Sequence, residues 1–553
     1  MADLAVYQVL AKAFAAEGVD KLFTLMGNGN MYWSYAMAKD QGIKTIHARH
    51  EHCAVAMAEG YFRATGKVGV ASVTCGPGLT QIMTALTIAA RANIPLVVFA
   101  GESPMHAAFH DQRIDQAPFS VATGAHFVPV RSMDRMLNDV REAFHVAQTQ
   151  RRPVVLSVPE DFQNQTFPYP TDYTPSADFI PTPQRSMPDP EIVDQIVDMI
   201  GAAQHPIILA GRGAMWSGAV ASLEEIAKQC GALLATSLYA KGLFEGNPFD
   251  LGIAGAFATN LARELFAESD LVIGVGASLG YFTTEGGYLY PNARVVQLDT
   301  SPRGLWQGLR VADLYLKSDA KTGADLILAK LRERNFPMHG WRTPELARRI
   351  AAEIPDGKEL EISAGTVDPR AIVNEFDRII PKDWQIVSGG AHFFNFAMTH
   401  LKGRAAERYH VINGFGAIGS ALPAAIGMAA TRNDGKVLLI EGDGSLLMHI
   451  QELETIKRHG LQLLICVMND GGYGAEFHPF RAKGMDETQA MHGRGDLAMV
   501  ARGFGLRGEK VTSLGRLESL FQDHIKANSA ELWDLHVADI ASAPYRRLYY
   551  GET

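Results

Sequence analysis

The sequence predicts an α/β protein of three doubly wound domains with mainly parallel sheets. Three observations lead there. Short apolar, β-branched runs end in glycine turns and alternate with amphipathic helical patterns, as expected of strands covered on both faces by crossover helices. Two proline-rich, aperiodic stretches divide the chain into three such segments. The length of 553 residues exceeds what one hydrophobic core usually organises, so about two to four domains are expected.

In the first segment GKVGVASVTCGPG and IPLVVFAGE read as buried strands followed by glycine turns. The middle segment repeats the pattern in HPIILAGRGA, ALLATSL, DLVIGVGAS and ARVVQLD, and the last in QIVSGG, GKVLLIEGDGS, LQLLICVMNDGGYG and LWDLHVAD. The first break, residues 168 to 190, has too many prolines for a helix or central strand and reads as an extended surface linker. The second, near 336 to 368, is softer and holds a helix around Glu345 to Ile354. Domains are therefore expected at 1–170, 189–335 and 369–553. Residue identities show no internal repeat.

Composition narrows the function. A chain 47% hydrophobic and 20% charged, without a run of about 18 apolar residues, is expected to be neither membrane-spanning nor disordered. Lys+Arg 51 against Asp+Glu 60 leaves a net charge of −9 and no basic stripe, so nucleic acid is not an expected partner. The four cysteines, Cys53, Cys75, Cys230 and Cys466, lack metal-ligand or CxxC spacing, and the N-terminus lacks a basic start with an apolar centre. Both features point to a reducing, cytoplasmic location.

The 53 glycines are somewhat above the roughly 7% average and gather beside apolar strands rather than in repeats. The strongest local signal is Gly442-Asp443-Gly444-Ser445 after the strand KVLLIE, followed by a helix ending at Gly460 and a second strand ending in Asn469-Asp470-Gly471-Gly472-Tyr473-Gly474. Glycine turns let backbone approach a diphosphate, and a hard cation such as Mg²⁺ takes carboxylate, amide and carbonyl oxygens. The helix presents Ile450, Leu453 and Ile456 on one face and aims its N-terminus at the anion. A GDG alone is also an ordinary tight turn after a strand.

The second motif makes the difference. At this spacing the pair resembles the metal-binding motif of the thiamine diphosphate enzymes, and the resemblance extends over essentially the whole chain. It implies a pyrimidine-binding first domain, a central domain, and a last domain that binds diphosphate and Mg²⁺. The metal ligands implied are Asp443, Asp470 and the main-chain carbonyl of Gly472. Asp470, 27 residues beyond Asp443, stands where the family usually has Asn, so it keeps an oxygen ligand and adds a charge, with Asn469 a neighbour. Arg49-His50-Glu51-His52 followed by AMAEGYFRATGKVGV resembles the signature of the acetolactate synthase, pyruvate oxidase and 2-oxo acid decarboxylase branch. It puts Glu51 at the family's catalytic glutamate. A desolvated carboxyl against N1′ of the aminopyrimidine promotes loss of the thiazolium C2 proton.

Other segments extend the likeness. Thr74-Cys75-Gly76-Pro77-Gly78 with Gln81 resembles the family's GPG loop. Asn413-Gly414-Phe415-Gly416-Ala417-Ile418-Gly419 before ALPAAIG resembles the segment that holds the bent coenzyme, with Ile418 the apolar wedge and the Gly416 carbonyl accepting from the 4′-amino group. Gly390-Ala391-His392 stands where the last domain's first strand meets the diphosphate, and His392 is a candidate phosphate donor. Gly442, Gly444, Ser445, Tyr473, Gly474 and Ala475 complete the expected coenzyme contacts.

The substrate side is more individual. Asn28, in the turn Gly27-Asn28-Gly29-Asn30, Gln112 in HDQRIDQ, and Glu476, 33 residues after Asp443, are candidates to face the reacting carbon. Gln112 resembles a carboligase glutamine. Glu476 stands near a decarboxylase glutamate able to supply a proton once CO₂ has left. His106 and His110 fall where decarboxylases carry a histidine pair, but the local pattern does not match and they read as loop-surface residues. Ala277-Ser278-Leu279 stands where flavin-dependent relatives carry an arginine, so FAD is not supported. Arg212 and the tail PYRRLYYGET give thin support to a CoA-binding variant.

The function expected from the resemblance is thiamine diphosphate- and Mg²⁺-dependent decarboxylation and/or carboligation of 2-oxo acids, acetolactate synthase-like. A C–C lyase acting on a 2-hydroxy ketone or 2-hydroxyacyl-CoA, and a noncatalytic coenzyme-binding subunit, stay open as alternatives. The resemblance also implies a homodimer or homotetramer with active sites at the subunit interface.

Overall fold

A computed structural model of the protein describes residues 4–181, 184–302, 311–335 and 340–552. Among the described residues eighteen strands form three six-stranded sheets. The first contains β1 (Lys21–Thr24), β2 (Lys44–His47), β3 (Gly69–Val73), β4 (Leu96–Glu102), β5 (His126–Pro129) and β6 (Pro153–Pro159). The second contains β7 (Pro206–Ala210), β8 (Leu233–Thr236), β9 (Asp250–Ile253), β10 (Leu271–Val275), β11 (Arg294–Asp299) and β12 (Leu314–Lys317). The third contains β13 (Gln385–Gly389), β14 (Tyr409–Ile412), β15 (Val437–Gly442), β16 (Leu464–Asn469), β17 (Arg507–Val511) and β18 (Glu531–His536). Every strand pairing within these sheets is parallel. Among the described residues no helix is long and apolar enough to cross a membrane.

The strand orders are β2-β1-β3-β4-β6-β5, β12-β11-β10-β7-β8-β9 and β14-β13-β15-β16-β18-β17. Numbered within each sheet, the first and third are both 2-1-3-4-6-5, whereas the middle is 3-2-1-4-5-6. The outer sheets are thus copies of one topology, which residue identities do not reveal. Central strands such as β3, β4 and β15 are buried almost throughout, while the edges β2 and β17 mix exposed and buried positions. That contrast explains why the apolar-run pattern finds the centre of each sheet and misses most edges.

The two like-folded units meet through equivalent helices, Glu51–Thr65 after β2 and Ala421–Ala429 after β14. Gly60 and Gly427 form the crossing: a Cβ on Gly60 would lie 1.9 Å from the Ala424 carbonyl oxygen, and one on Gly427 would lie 1.9 Å from that of Met57. Both helices are rich in small buried residues, Cys53, Ala54, Ala56 and Ala58 on one and Ala421, Ala424 and Ala425 on the other, which lets the backbones touch. One hydrophobic cluster consequently spans both units, from Phe23 and Val98 to Leu439 and Ile465.

Two expectations need correction. The chain between the two glycine motifs is not one helix but two, Asp443–Met448 and Glu452–His459, with Gly460 closing the second in a left-handed cap at φ 59°. His449 leaves helical geometry and its Nδ1 lies 2.9 Å from the Gly419 carbonyl. The proline-rich stretch after residue 168, expected to be extended, does run over the surface but is not extended throughout. Ser176–Phe179 makes a helical turn, and the buried Ser176 bonds to the Glu17 carboxylate through its N–H (2.8 Å) and hydroxyl (2.7 Å). The expected helix in the second break is present as Pro344–Ala352; residues 336 to 339 lie outside the described residues.

Candidate active site

In the third sheet the strand order reverses between β13 and β15, and such switch points are where open parallel sheets bind ligands beyond their carboxyl ends. Three loops converge there: 390–393 after β13, 442–445 after β15 and 470–474 after β16. A Cβ on Gly442 would lie 2.7 Å from the Phe393 ring, one on Gly444 2.6 Å from the Tyr473 ring, and one on Gly474 2.8 Å from His392 Cβ. These glycines therefore make room for the chain's own rings. A Cβ on Gly390 would meet the Asn413 amide at 2.5 Å, which joins this crevice to the coenzyme-loop segment.

Asp443 and Asp470 are both buried in the crevice. The Asp443 carboxylate accepts the Gly471 N–H at 2.9 Å, and that of Asp470 accepts the Gly472 N–H at 3.3 Å. Burial raises the pKa of both, and for Asp470 the neighbouring Asp443 charge raises it further. His492 is the nearest cation candidate, 3.9 Å from Asp443. Two buried, mutually repelling carboxylates answered mainly by main-chain N–H groups fit a divalent cation. Among the described residues no group of three or more His, Cys, Asp or Glu gathers to hold a metal, so a cation here relies on these two carboxylates together with main-chain and ligand oxygens. Asn469 points elsewhere: its amide donates to the Arg494 carbonyl (2.9 Å) and to Asp534 (2.8 Å).

His392, on the turn after β13, is buried, and burial first, then His478, holds its pKa well below the ordinary histidine value. Its Nε2 accepts a hydrogen bond, whereas Nδ1 is buried and has no hydrogen-bond partner among the described residues. An orphaned donor 2.9 Å from where a Gly474 Cβ would stand suits an anionic oxygen of a diphosphate.

The coenzyme-loop segment is tied to the same crevice. The Gly419 N–H donates to Ser445 Oγ at 2.8 Å, so the Ser445 hydroxyl braces this loop. Gly416 and Gly419 have φ of 76° and 93°, which exclude most side chains. Ile418 is partly buried between them. Gly414 rests against the helix Met83–Arg91 of the first unit, its absent Cβ 2.8 Å from the Ile88 carbonyl.

Glu51 opens its helix behind the N-cap His50. Its flanks are clamped to the third unit: His52 Nε2 lies 2.8 Å from Ser420 Oγ, the His52 and His449 rings stack at 4.7 Å, and the Arg49 N–H donates to Glu452 at 2.9 Å. The Glu51 carboxylate itself is partly buried and, among the described residues, makes no hydrogen bond or ion pair. Sequence reasoning missed His449, Ser420 and Glu452. Each acts across the unit boundary, and no local pattern marks them.

The substrate-side candidates divide. Gln112 lies against the GPG loop, with Oε1 3.2 Å from Cys75 Sγ and its carbonyl 2.2 Å from where a Cβ on Gly76 would be. Asn28 is exposed, and the turn that carries it is shaped by the buried Asn30, which bonds the Gly27 N–H and Ser72 Oγ at 2.8 Å each. Ala475 and Glu476 occupy the first turn of the helix Gly474–Ala482. Glu476 is largely exposed, though partial burial raises its pKa. Among the described residues no hydrogen bond or ion pair joins Asn28 or Gln112 to the crevice of the third sheet. His106 is exposed, and His110 sits 3.8 Å from Glu160 and 3.7 Å from Asp111.

Three family profiles match in chain order: the N-terminal TPP binding domain of thiamine pyrophosphate enzymes over residues 4–119, their central domain over 193–328, and their C-terminal TPP binding domain over 390–532. The chain belongs to the thiamine pyrophosphate (thiamine diphosphate) enzyme superfamily. Relatives include the acetolactate synthase large subunit of Haemophilus influenzae, 28% identical over 540 residues, which are 95% of this chain and 92% of that one. The acetolactate synthase isozyme 2 large subunit of Escherichia coli is 27% identical over 96% of this chain and 95% of its own. A probable acetolactate synthase large subunit of Methanocaldococcus jannaschii is 27% identical over 97% and 92%.

Proposed function

We propose that the protein decarboxylates a 2-oxo acid and joins the retained acyl unit to a second carbonyl compound, as an acetolactate synthase-like carboligase using thiamine diphosphate and Mg²⁺. The observation that carries this is the crevice between β13 and β15: two buried, mutually repelling carboxylates on the turns after β15 and β16, with a buried imidazole on the turn after β13 whose Nδ1 has no partner among the described residues, in a chain similar over nearly its whole length to acetolactate synthase large subunits. Bound there, thiamine diphosphate would supply a nucleophilic carbon for the 2-oxo acid and an electron sink for the loss of CO₂.

The chain's residues supply the rest. Asp443, Asp470 and the Gly472 carbonyl hold the cation, and His392 with the glycine turns at 390, 442, 444 and 474 receives the diphosphate. Ile418 and the Gly416 carbonyl set the bend of the coenzyme, flanked by Tyr473 and Ala475. Glu51 exchanges a proton with N1′ of the pyrimidine. Asn28, Gln112 and Glu476 face the acceptor and decide between protonation and transfer. In this reading the units 1–170, 189–335 and 369–553 are the pyrimidine-binding, central and diphosphate-binding domains.

The active unit in this reading is a homodimer, alone or within a homotetramer, with Glu51 serving the partner's coenzyme. Support comes from the unpartnered Glu51 carboxylate and from apolar side chains left open around the crevice: Phe415 at 42%, Met448 at 51% and Tyr473 at 42% exposure. Reconstitution with Mg²⁺ and thiamine diphosphate across small 2-oxo acids, alone and with an added acceptor, is expected to release CO₂ and form a 2-hydroxy-3-oxo acid. Absence of CO₂ from all of them, with cleavage of a 2-hydroxy ketone instead, points to the lyase.

A pH dependence follows from the two aspartates. Their folded-state pKa values are raised, so the stability linked to their protonation is present below the ordinary carboxylate range and lost as pH rises through the raised values. Mg²⁺ with thiamine diphosphate should therefore raise the thermal midpoint more at about pH 8 than at about pH 5, where protons already relieve the repulsion. An equal shift at both pH values argues against these carboxylates as the cation's ligands.

A further inference from the structure

The helix Ala543–Tyr549 is the last helix among the described residues, and its N-cap Ser542 is buried against His392. The Ser542 main-chain N–H donates to His392 Nε2 at 3.0 Å. A backbone N–H can only donate, so Nε2 carries the lone pair and the proton of the neutral ring lies on Nδ1. That Nδ1–H is the orphaned donor facing the Gly474 turn.

We propose that the segment Ser542–Tyr550 is a positioning element for the coenzyme site, in which the Ser542 N–H fixes the orientation and tautomer of His392 so that Nδ1–H meets the diphosphate. The segment is built to hold that geometry. Ser542 Oγ accepts from the Asn395 amide at 3.0 Å. The Tyr545 ring packs edge-on to His392 at 4.7 Å, and Tyr550 OH donates to the His478 carbonyl at 3.2 Å. Further along, the buried Arg546 bonds Asp356 at 2.7 Å, and Asp356 also pairs with Arg370. Arg547 donates to the Ala256 carbonyl of the middle unit at 2.7 Å. The anchors at Arg546 and Arg547 lie outside the crevice and do not involve His392. Burial beside His478 keeps the ring neutral, as the tautomer assignment requires.

The inference rests on the reading that His392 faces the diphosphate, and the test separates the two. Ser542 has φ −65°, which a proline ring accepts, so Ser542→Pro deletes the N–H with little backbone change. Ser542→Ala removes the hydroxyl and keeps the N–H. Calorimetry on the full-length apoprotein with Mg²⁺ should show S542P weakening thiamine diphosphate and inorganic pyrophosphate by about 10- to 100-fold, as expected for losing a hydrogen bond to a charged group. Unphosphorylated thiamine should bind unchanged, and S542A should stay within about twofold of the parent. Parent-like diphosphate binding by S542P, or an equal loss for thiamine, overturns the positioning role. If His392→Ala binds diphosphate as the parent does, the reading of the site itself fails. Should S542P not fold, ¹⁵N-histidine spectra of the parent decide: Nε2–H on His392 overturns the proposal, and Nδ1–H supports it.

Discussion

Glu51→Gln should lower turnover by about 10²- to 10⁴-fold, the usual range for losing a positioned acid–base group. Its affinity for thiamine diphosphate and Mg²⁺ should remain close to that of the parent, because the cation and diphosphate are held by loops of the third unit. The fold should hardly notice. Among the described residues the carboxylate makes no hydrogen bond or ion pair, and the helix keeps its N-cap, His50, whose side chain accepts the His52 N–H at 3.1 Å. The measurement is steady-state CO₂ release beside a calorimetric titration of coenzyme. Turnover near the parent's, with coenzyme bound, would remove Glu51 from the proposed chemistry.

Gly427→Val, and separately Gly60→Val, should prevent the native fold from forming or reduce its stability by more than about 3 kcal/mol, at the severe end of overpacking. A Cβ at either position would lie 1.9 Å from a carbonyl oxygen of the facing helix. Neither helix can retreat without opening the shared core around Ala58, Leu86 and Leu422. Gly246→Ala is a useful control: unlike Gly60 and Gly427 it sits at positive φ, but it has open space around its missing Cβ; it should cost only about 1 kcal/mol of backbone strain. Soluble, normally melting G427V would show that the helices do not cross where the structure places them. The result also bears on activity, because this crossing fixes the Glu51 helix relative to the coenzyme-loop segment.

The turns proposed to hold the coenzyme and its cation could be read from the chain because they combine a strand end with glycines and, at Asp443 and Asp470, a carboxylate within a few residues. Asp443, Asp470, Gly472 and His392 do converge on one switch point. The signal for the substrate side was weaker. Gln112 packs on the GPG loop, but Asn28 and Glu476 are exposed on separate units, and among the described residues no hydrogen bond or ion pair joins them. The helix expected between the glycine motifs illustrates a different limit. Its apolar spacing survives through Leu453 and Ile456, yet the helix breaks at His449, whose Nδ1 lies at the Gly419 carbonyl in another segment. A local period has no knowledge of that contact.

The glycines show the same division. Their enrichment beside strand ends was visible in the sequence and located the crevice, since turns of this kind depend on neighbouring residues. What each one accommodates was not visible. Gly442, Gly444 and Gly474 clear space for Phe393, Tyr473 and His392, while Gly60 and Gly427 carry a helix crossing far from any turn. The likeness of the outer sheets, the clamp of His52 and His449 around Glu51, and the hold of Ser542 on His392 likewise join residues about 150 to 400 positions apart. Class, motif positions and strand centres follow from short-range periodicity and turn chemistry, which the chain encodes locally. Partner choice across such distances is settled by packing and by the need to satisfy buried polar groups, and those requirements exist only once the units have come together.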